Sequence, residues 1–167
     1  DINEAWLLHG IGNPFGFEAP GDAFVTDKVG FVGGGNILYT TIRAFAGSTL
    51  GAESQEDNTF FSIPGVSGTG LVAFQIEGNS MDPVIRHGDI VVCKSVENLN
   101  DIRDNEIYAV RSNGSVWVKY VQKIYNNRGR ITRLKMISAN YFDNDPFEEE
   151  VNETTRLYKV VRKISNV

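Results

Sequence analysis

The sequence predicts a mostly β domain, built as a twisted multi-strand sheet or partly open barrel, with one short helix at its N-terminal side. Six segments after residue 59 alternate apolar and polar residues or are rich in β-branched and aromatic residues. Turn-forming residues separate these segments, as at Asn113-Gly114. Since no long helical pattern accompanies them, a sheet must supply most of the buried surface. The segments are LVAFQIEG, DIVVCKSV, EIYAVRS, SVWVKYVQKIY, RITRLKMIS and LYKVVRKIS.

The short helix is predicted in DINEAWLLHGIGNPF, at the start of the chain. Glu4 to Leu8 contains good helix formers, and Gly10 and Gly12 end the pattern. A helix of this length has little stability alone, so its apolar residues need a partner surface. We expect that partner to lie upstream of Asp1, in a longer chain.

A linker is predicted between this helix and the β segments. Residues 16–58 are rich in Gly, Ala, Ser and Thr, and only the alternation ILYTTIRAF suggests one short strand among them. The predicted organisation is therefore a helical tail at 1–15, a linker at 16–58 and a β domain at 59–167.

Composition excludes several classes of function. The net charge of -5 and the pI of about 5.0 argue against a chain that coats nucleic acid or an anionic membrane along its whole length. No apolar run approaches the roughly 18 residues that span a bilayer, and no secretory signal pattern opens the chain. The single cysteine, Cys93, cannot form an intramolecular disulfide. We expect a cytoplasmic protein without a membrane anchor.

One serine, Ser80, lies in a Gly-Asn-Ser-Met-Asp-Pro bend between two apolar segments. Turn formation or helix capping alone would explain a serine there. As a nucleophile it would need a base. His87, which is close to Asp89, allows a Ser-His-Asp arrangement, although His-Gly-Asp between two strands is also typical of an exposed turn.

Lys119 is the second candidate base. In SVWVKYV it shares one strand face with Trp117 and Val121, and apolar residues also occupy the other face. Desolvation there would disfavour the charged amine and lower its pKa, so that a neutral Lys119 could accept the proton of Ser80. The alternative is a lysine that extends to water from a sheet edge.

Metal and cofactor sites are not expected. Two histidines and one cysteine, widely separated, give no zinc spacing. The glycines at 33–35 lack the Lys and Ser or Thr of a phosphate-binding loop. The acidic run at 148–150 is typical of a solvated surface.

Three segments together resemble the LexA-type self-cleaving repressors, which include the phage lambda-type repressors and the UmuD proteins. They are EGNSMDPVIRHGDIVVCK, VWVKYVQK and ISANY at 137–141, and the similarity extends from about Ile37 to the C-terminus. The resemblance implies a serine–lysine peptidase domain with Ser80 as nucleophile and Lys119 as general base. It also implies an oxyanion hole formed by the backbone N–H groups of Asn79 and Ser80.

The resemblance further implies cleavage of the chain itself, between a small residue and glycine in the linker. Ala46-Gly47, within RAFAGSTLG, is the best candidate bond. By the same resemblance, residues 1–15 are the tail of a helix-turn-helix domain that lies mainly before Asp1. The implied partners are a second copy of the chain, operator DNA through that domain, and a RecA filament.

Two other interpretations remain open. In the first, the chain is a non-cleaving domain for dimerisation or effector binding in a transcriptional regulator. In the second, it is a protease that acts on other chains. The latter resembles the signal peptidases, which also pair serine with lysine but need a membrane anchor.

Overall fold

The computed structural model describes residues 34–47 and 59–167, which belong to one compact unit, Gly33–Val167. Within these ranges the elements are β1 (Ile37–Tyr39), α1 (Ile42–Ala46), β2 (Thr59–Phe61), β3 (Leu71–Gln75), β4 (Ile90–Val96), a 3-10 helix (Leu99–Asp101), β5 (Glu106–Ser112), β6 (Ser115–Tyr125), β7 (Ile131–Ile137), β8 (Phe147–Glu150) and β9 (Arg156–Ile164). No helix in these ranges is long and apolar enough to cross a membrane.

The strands form one mixed sheet in the order β2-β1-β3-β4-β9-β5-β6-β7-β8. Every neighbouring pair is antiparallel except β1 and β3, which are parallel. The sheet is not closed into a barrel, since β2 and β8 are its two edges. The prediction of a mostly β fold with a large sheet is thus confirmed. The predicted helix within residues 1–15 lies outside the described residues.

The six predicted segments correspond to β3, β4, β5, β6, β7 and β9. The predicted turn between β5 and β6 forms because Asn113 and Gly114 both adopt positive φ, at 51° and 77°. The strands β2 and β8 were not predicted. The acidic residues of β8 are typical of a solvated run in the sequence. The segment nevertheless pairs with β7, and Arg133 of β7 forms an ion pair with Glu148 of β8.

The segment ILYTTIRAF forms two elements rather than one strand. After β1, Thr41 caps a five-residue helix, because its side-chain oxygen accepts a hydrogen bond from the Ala44 N–H at 3.2 Å. Phe45, which is fully buried, stacks on Phe74 with ring centroids 4.8 Å apart. A helix this short is unstable alone, so packing of this kind must hold α1 in place.

The sheet is buried on both faces at β3. Alternate residues of this strand pack into different clusters: Val72 and Phe74 belong to a first cluster, whereas Leu71 and Ala73 belong to another. This explains why β3 begins with a continuous apolar run. The first cluster also contains Cys93, whose burial raises the pKa of its thiol. Its buried members are Phe45, Val72, Phe74, Ile76, Met81, Ile85, Val91, Cys93, Ala109, Val118 and Tyr158.

The connection between β3 and β4 carries Ser80 and is tied together where it returns to the sheet. The Ile76 N–H donates to the Asp89 carbonyl at 2.8 Å, and the Ile76 carbonyl accepts from the Gly88 N–H at 2.9 Å. The Asp89 carboxylate accepts from the Arg86 N–H at 2.8 Å, which is the main reason that its pKa lies below the ordinary value. Asp89 is buried, so this bond is protected from water.

Asp89→Asn should lower the free energy of unfolding by about 1–2 kcal/mol at pH 7, because it removes a buried charge-assisted hydrogen bond. The lowered native pKa means that the unfolded chain binds the proton first as pH falls. Stability from Asp89 is therefore present above about pH 4 and lost below it. Urea unfolding measured from pH 7 to pH 3 should show that the free energy of unfolding falls less on acidification in the variant than in wild type. Asp101→Asn, an exposed control, should match wild type; an equally steep acid loss in Asp89→Asn would contradict this role.

Candidate active site

Ser80 lies in a compact bend that follows β3. Gly78 adopts a φ of +89°, which a side chain would disfavour, and this allows the sharp change of direction. The bend is closed by hydrogen bonds from the Asp82 N–H to the Asn79 carbonyl at 3.1 Å and from the Ile85 N–H to the Met81 carbonyl at 2.8 Å. Ser80 lies within this bend and is half-buried.

The loop after β7 supports the bend from the other side. The Asn140 N–H donates to the Ser80 carbonyl at 3.0 Å, and the Ala139 N–H contacts the sulfur of the buried Met81 at 3.4 Å. These residues belong to the ISANY segment, to which the sequence assigned no role. Its contribution is to fix the main chain of Ser80, a role that becomes visible only when the two loops meet in the fold.

Lys119 reaches Ser80 from the middle of β6. It pairs with Tyr108 of β5, is 7% exposed, and its Nζ donates a hydrogen bond to Ser80 Oγ. The fold thus joins two residues 39 positions apart in the chain. Lys119 forms no ion pair with any acidic side chain of the described residues.

Burial without a counter-charge defines the electrostatics of this pair. Desolvation lowers the pKa of Lys119, because the charged amine loses hydration and gains no carboxylate in return. When the amine is neutral, its lone pair can accept a hydrogen bond from the Ser80 hydroxyl, to which the charged amine donates. The arrangement can therefore move the proton of Ser80 to Lys119.

The proposed oxyanion donors are available. Neither the Asn79 N–H nor the Ser80 N–H donates a hydrogen bond to another described residue. Free N–H groups beside a nucleophilic oxygen are suited to bind a carbonyl oxygen that becomes negative during attack.

His87 is hydrogen-bonded to the main chain of the bend. Its Nδ1 accepts a hydrogen bond from the Gly78 N–H at 3.1 Å, and the Asp89 carboxylate is directed to Arg86. Neither His87 nor Asp89 is hydrogen-bonded to Ser80 among the described residues. The side chain that is hydrogen-bonded to Ser80 Oγ is that of Lys119.

Ala46 and Gly47 lie at the C-terminal end of α1. The Gly47 N–H donates to the Arg43 carbonyl at 3.1 Å, so the peptide bond between Ala46 and Gly47 is part of a helical turn. Within residues 34–47 and 59–167, no hydrogen bond joins Ser80 to either residue. Arg111, which the sequence did not single out, donates to the Phe45 carbonyl at 3.1 Å.

Lys119→Met should stabilise the fold. At pH 7 the native chain bears the cost of burying an amine, and methionine fills similar space without it, so the free energy of unfolding should rise by about 1 kcal/mol and Tm by about 3 °C. Because the native pKa is lowered, the unfolded chain retains its proton up to about pH 10.4 while the native chain loses it earlier. Wild-type stability therefore rises with pH over that interval, and the advantage of the variant should shrink towards pH 10.

Lys123→Met is the matched control, on the same strand. Lys123 Nζ donates to the Ile102 carbonyl and lies 3.9 Å from the Asp104 carboxylate. Losing this partnered lysine should lower the free energy of unfolding by about 1 kcal/mol. Thermal melts at pH 7 and pH 10 measure both variants; a Lys119→Met chain that melts below wild type at pH 7 would show that the native lysine is not destabilised by burial.

Comparison with known proteins identifies the family of the chain. Residues 38–155, more than half of the chain, match the Peptidase S24-like family, and the matched range includes Ala46, Ser80 and Lys119. A search of curated proteins finds no match. The resemblance to LexA-type proteins is thereby confirmed: the chain belongs to the Peptidase S24-like family.

Proposed function

We propose that the chain is a serine–lysine peptidase that cuts itself between Ala46 and Gly47, and that it is the C-terminal regulatory part of a bacterial or phage transcriptional repressor. The observation that carries the proposal is the contact between Ser80 Oγ and the buried amine of Lys119, which forms no ion pair within the described part of the chain. Membership of a peptidase family supports the same chemistry.

The reaction proceeds through an acyl-enzyme. Lys119 takes the hydroxyl proton while Ser80 Oγ attacks the carbonyl carbon of Ala46, and the N–H groups of Asn79 and Ser80 bind the oxyanion. Lys119 then gives that proton to the nitrogen of Gly47 as the C–N bond breaks. A water molecule, deprotonated by Lys119, attacks the ester, which releases the Ala46 carboxylate and restores the Ser80 hydroxyl.

An open strand edge supports this choice of bond. Ile76 directs its N–H and carbonyl to the β4 side, so those of Gln75 and Glu77 point to the opposite edge, because backbone groups alternate along a strand. Among residues 34–47 and 59–167, the last hydrogen bond along that edge joins the Thr40 N–H to the Ala73 carbonyl at 3.0 Å. A cavity of about 260 Å³ follows, lined by residues 39–43, Gln75 and Glu77. An extended segment placed there would continue the pairing of β1 with β3.

The strand register directs such a segment to Ser80. Tyr39 of β1 pairs with Ala73, which is 34 residues later in the chain, and Ser80 is likewise 34 residues after Ala46. Because β1 and β3 are parallel, extending β1 at the same offset would bring Arg43 opposite Glu77, the last residue before the bend. The next residues, up to Ala46, would then run towards the bend that contains Ser80.

The helical form of α1 is not the reacting form. A helix advances about 1.5 Å per residue, whereas a strand advances about 3.3 Å, so residues 42–46 fall short of the extended path. The hydrogen bond from Gly47 to Arg43 also ties the amide nitrogen that must receive a proton. Self-cleavage therefore requires α1 to unwind along the edge of β3.

Cleavage would separate a DNA-binding domain from a dimerising domain. Losing the covalent link weakens binding to a two-part operator, because one unit no longer holds both half-sites. A homodimer, operator DNA and a RecA filament are the partners that we propose on the basis of the family resemblance.

The position of β1 adds a condition to this separation. β1 lies between β2 and β3, and its Ile37 is fully buried. A cut after Ala46 leaves β1 on the N-terminal fragment but still inside the sheet. The two fragments should therefore stay together until β1 leaves its neighbours.

Intact-mass spectrometry under denaturing conditions, after incubation between pH 7 and pH 10, tests the reaction. Fragments 1–46 and 47–167 should accumulate faster as pH rises, and the rate should level off once the lowered pKa of Lys119 is passed. Ser80→Ala and Lys119→Ala should reduce the rate by at least about 1,000-fold, as removal of a nucleophile or its base does. Lys123→Met should cleave like wild type.

Two outcomes would contradict the proposal. An intact chain at every pH would favour the non-cleaving dimerisation or effector domain, and cleavage that survives Ser80→Ala would exclude this nucleophile. Gel filtration of a cleaved sample in native buffer tests the retention by β1: the fragments should elute together and separate only in denaturant.

A further inference from the structure

We propose that Arg111 is a positioning residue that clamps α1 in its helical form, so that release of this clamp precedes cleavage at Ala46-Gly47. The inference rests on the proposed function, since it concerns how the same bond becomes accessible. It adds a residue outside the pair of Ser80 and Lys119, on a different strand.

The contacts of Arg111 are directed to one residue of α1. Arg111 Nη1 donates to the Phe45 carbonyl at 3.1 Å, and the guanidinium carbon lies 5.7 Å from the centroid of the Phe45 ring. This is the one side-chain hydrogen bond that Arg111 makes within the described residues. One side chain therefore holds both the main chain and the ring of the residue before Ala46.

Sheet stability does not explain an arginine at this position. Arg111 lies directly opposite Arg156 in the pairing of β5 with β9. Like charges at directly opposed positions are unfavourable. Arg156 donates to the carbonyls of Glu153 and Thr155, so it does not share the contact with α1.

Phe45 supplies the other half of the clamp. Its ring is fully buried, stacks on Phe74 and meets Tyr158 edge-on, with both ring centroids 4.8 Å away. An extended segment that continued the pairing of β1 with β3 would carry Phe45 past Glu77 and out of the pocket between these rings. The ring must therefore leave its pocket before Ala46 reaches Ser80, and the bond from Arg111 opposes this movement.

Trypsin provides a readout of the clamp that does not depend on Ser80. Arg43 is exposed but lies within α1, and a protease cuts a segment readily only when that segment opens. In a Ser80→Ala background, Arg111→Met should raise the rate of cutting after Arg43 about tenfold, as expected for the loss of one hydrogen bond from a charged donor. Cutting after Arg128, in the exposed turn before β7, serves as the internal standard. Arg156→Met is the matched control and should leave cutting after Arg43 unchanged.

In the chain with Ser80 intact, Arg111→Met should also raise the self-cleavage rate about tenfold at each pH. The midpoint of the pH profile should not move, because Lys119 keeps its surroundings. Arg111→Lys, which retains a charged donor without the planar guanidinium, should fall between wild type and Arg111→Met. A general loss of stability would instead raise cutting after Arg128 as well and lower Tm.

The outcomes separate the clamp from the proposed function. Faster cutting after Arg43 without any self-cleavage would support the clamp and contradict cleavage at Ala46-Gly47. Unchanged cutting after Arg43 in Arg111→Met would overturn the clamp, whatever the self-cleavage rate. Slower self-cleavage in Arg111→Met would also overturn it, because Arg111 would then hold the reacting form.

Discussion

A lysine amine is buried in the middle of a sheet with a serine hydroxyl as its neighbour, and no carboxylate among the described residues forms an ion pair with it. The chemistry that we propose depends on that constraint. Lys119 is buried in the middle of β6, and the loop after β7 holds the main chain of Ser80 through the Asn140 N–H. The same burial that should reduce stability lowers the pKa of Lys119 and so favours the neutral amine.

A second constraint is that the substrate is part of the fold. The segment that bears the candidate bond begins as β1, an internal strand of the sheet, and continues into α1, which fills a pocket in the first cluster with Phe45. In the self-cleavage that we propose, substrate concentration is fixed by the chain itself, and the rate is governed by the equilibrium between the helical and extended forms. In that proposal, contacts that stabilise α1 oppose the reaction, whereas the open edge of β3 favours it.

The sequence was informative where local pattern decides structure. The segments that form β3 to β7 and β9 were predictable because they alternate apolar and polar residues or are rich in β-branched and aromatic residues. The turn at Asn113-Gly114 was predictable because its residues tolerate positive φ. α1 was not predictable. Its alternation favours a strand, and only tertiary packing of Phe45 selects a helix. Likewise β8 becomes a strand because β7 pairs with it, not because of its own composition.

The site was only partly predictable. Ser80 and Lys119 were indicated by family resemblance and by apolar surroundings, but their contact depends on how β6 passes the bend after β3. Asn140 and Arg111 act through a backbone N–H and a contact 66 residues away in sequence, which no local pattern encodes. A polar residue on a strand ordinarily indicates a solvent-facing position, so Arg111 carried no signal of its contact with Phe45.

The most direct test of the central claim is an NMR titration of the Lys119 side-chain nitrogen, in ¹⁵N-lysine-labelled chain carrying Ser80→Ala to prevent cleavage. Lys119→Arg, in the same background, identifies the resonance. If burial keeps the amine ready to accept a proton, Lys119 should titrate well below the ordinary lysine value of about 10.4 and apart from the other lysines. A Lys119 resonance that titrates together with the exposed lysines would contradict its role as the general base.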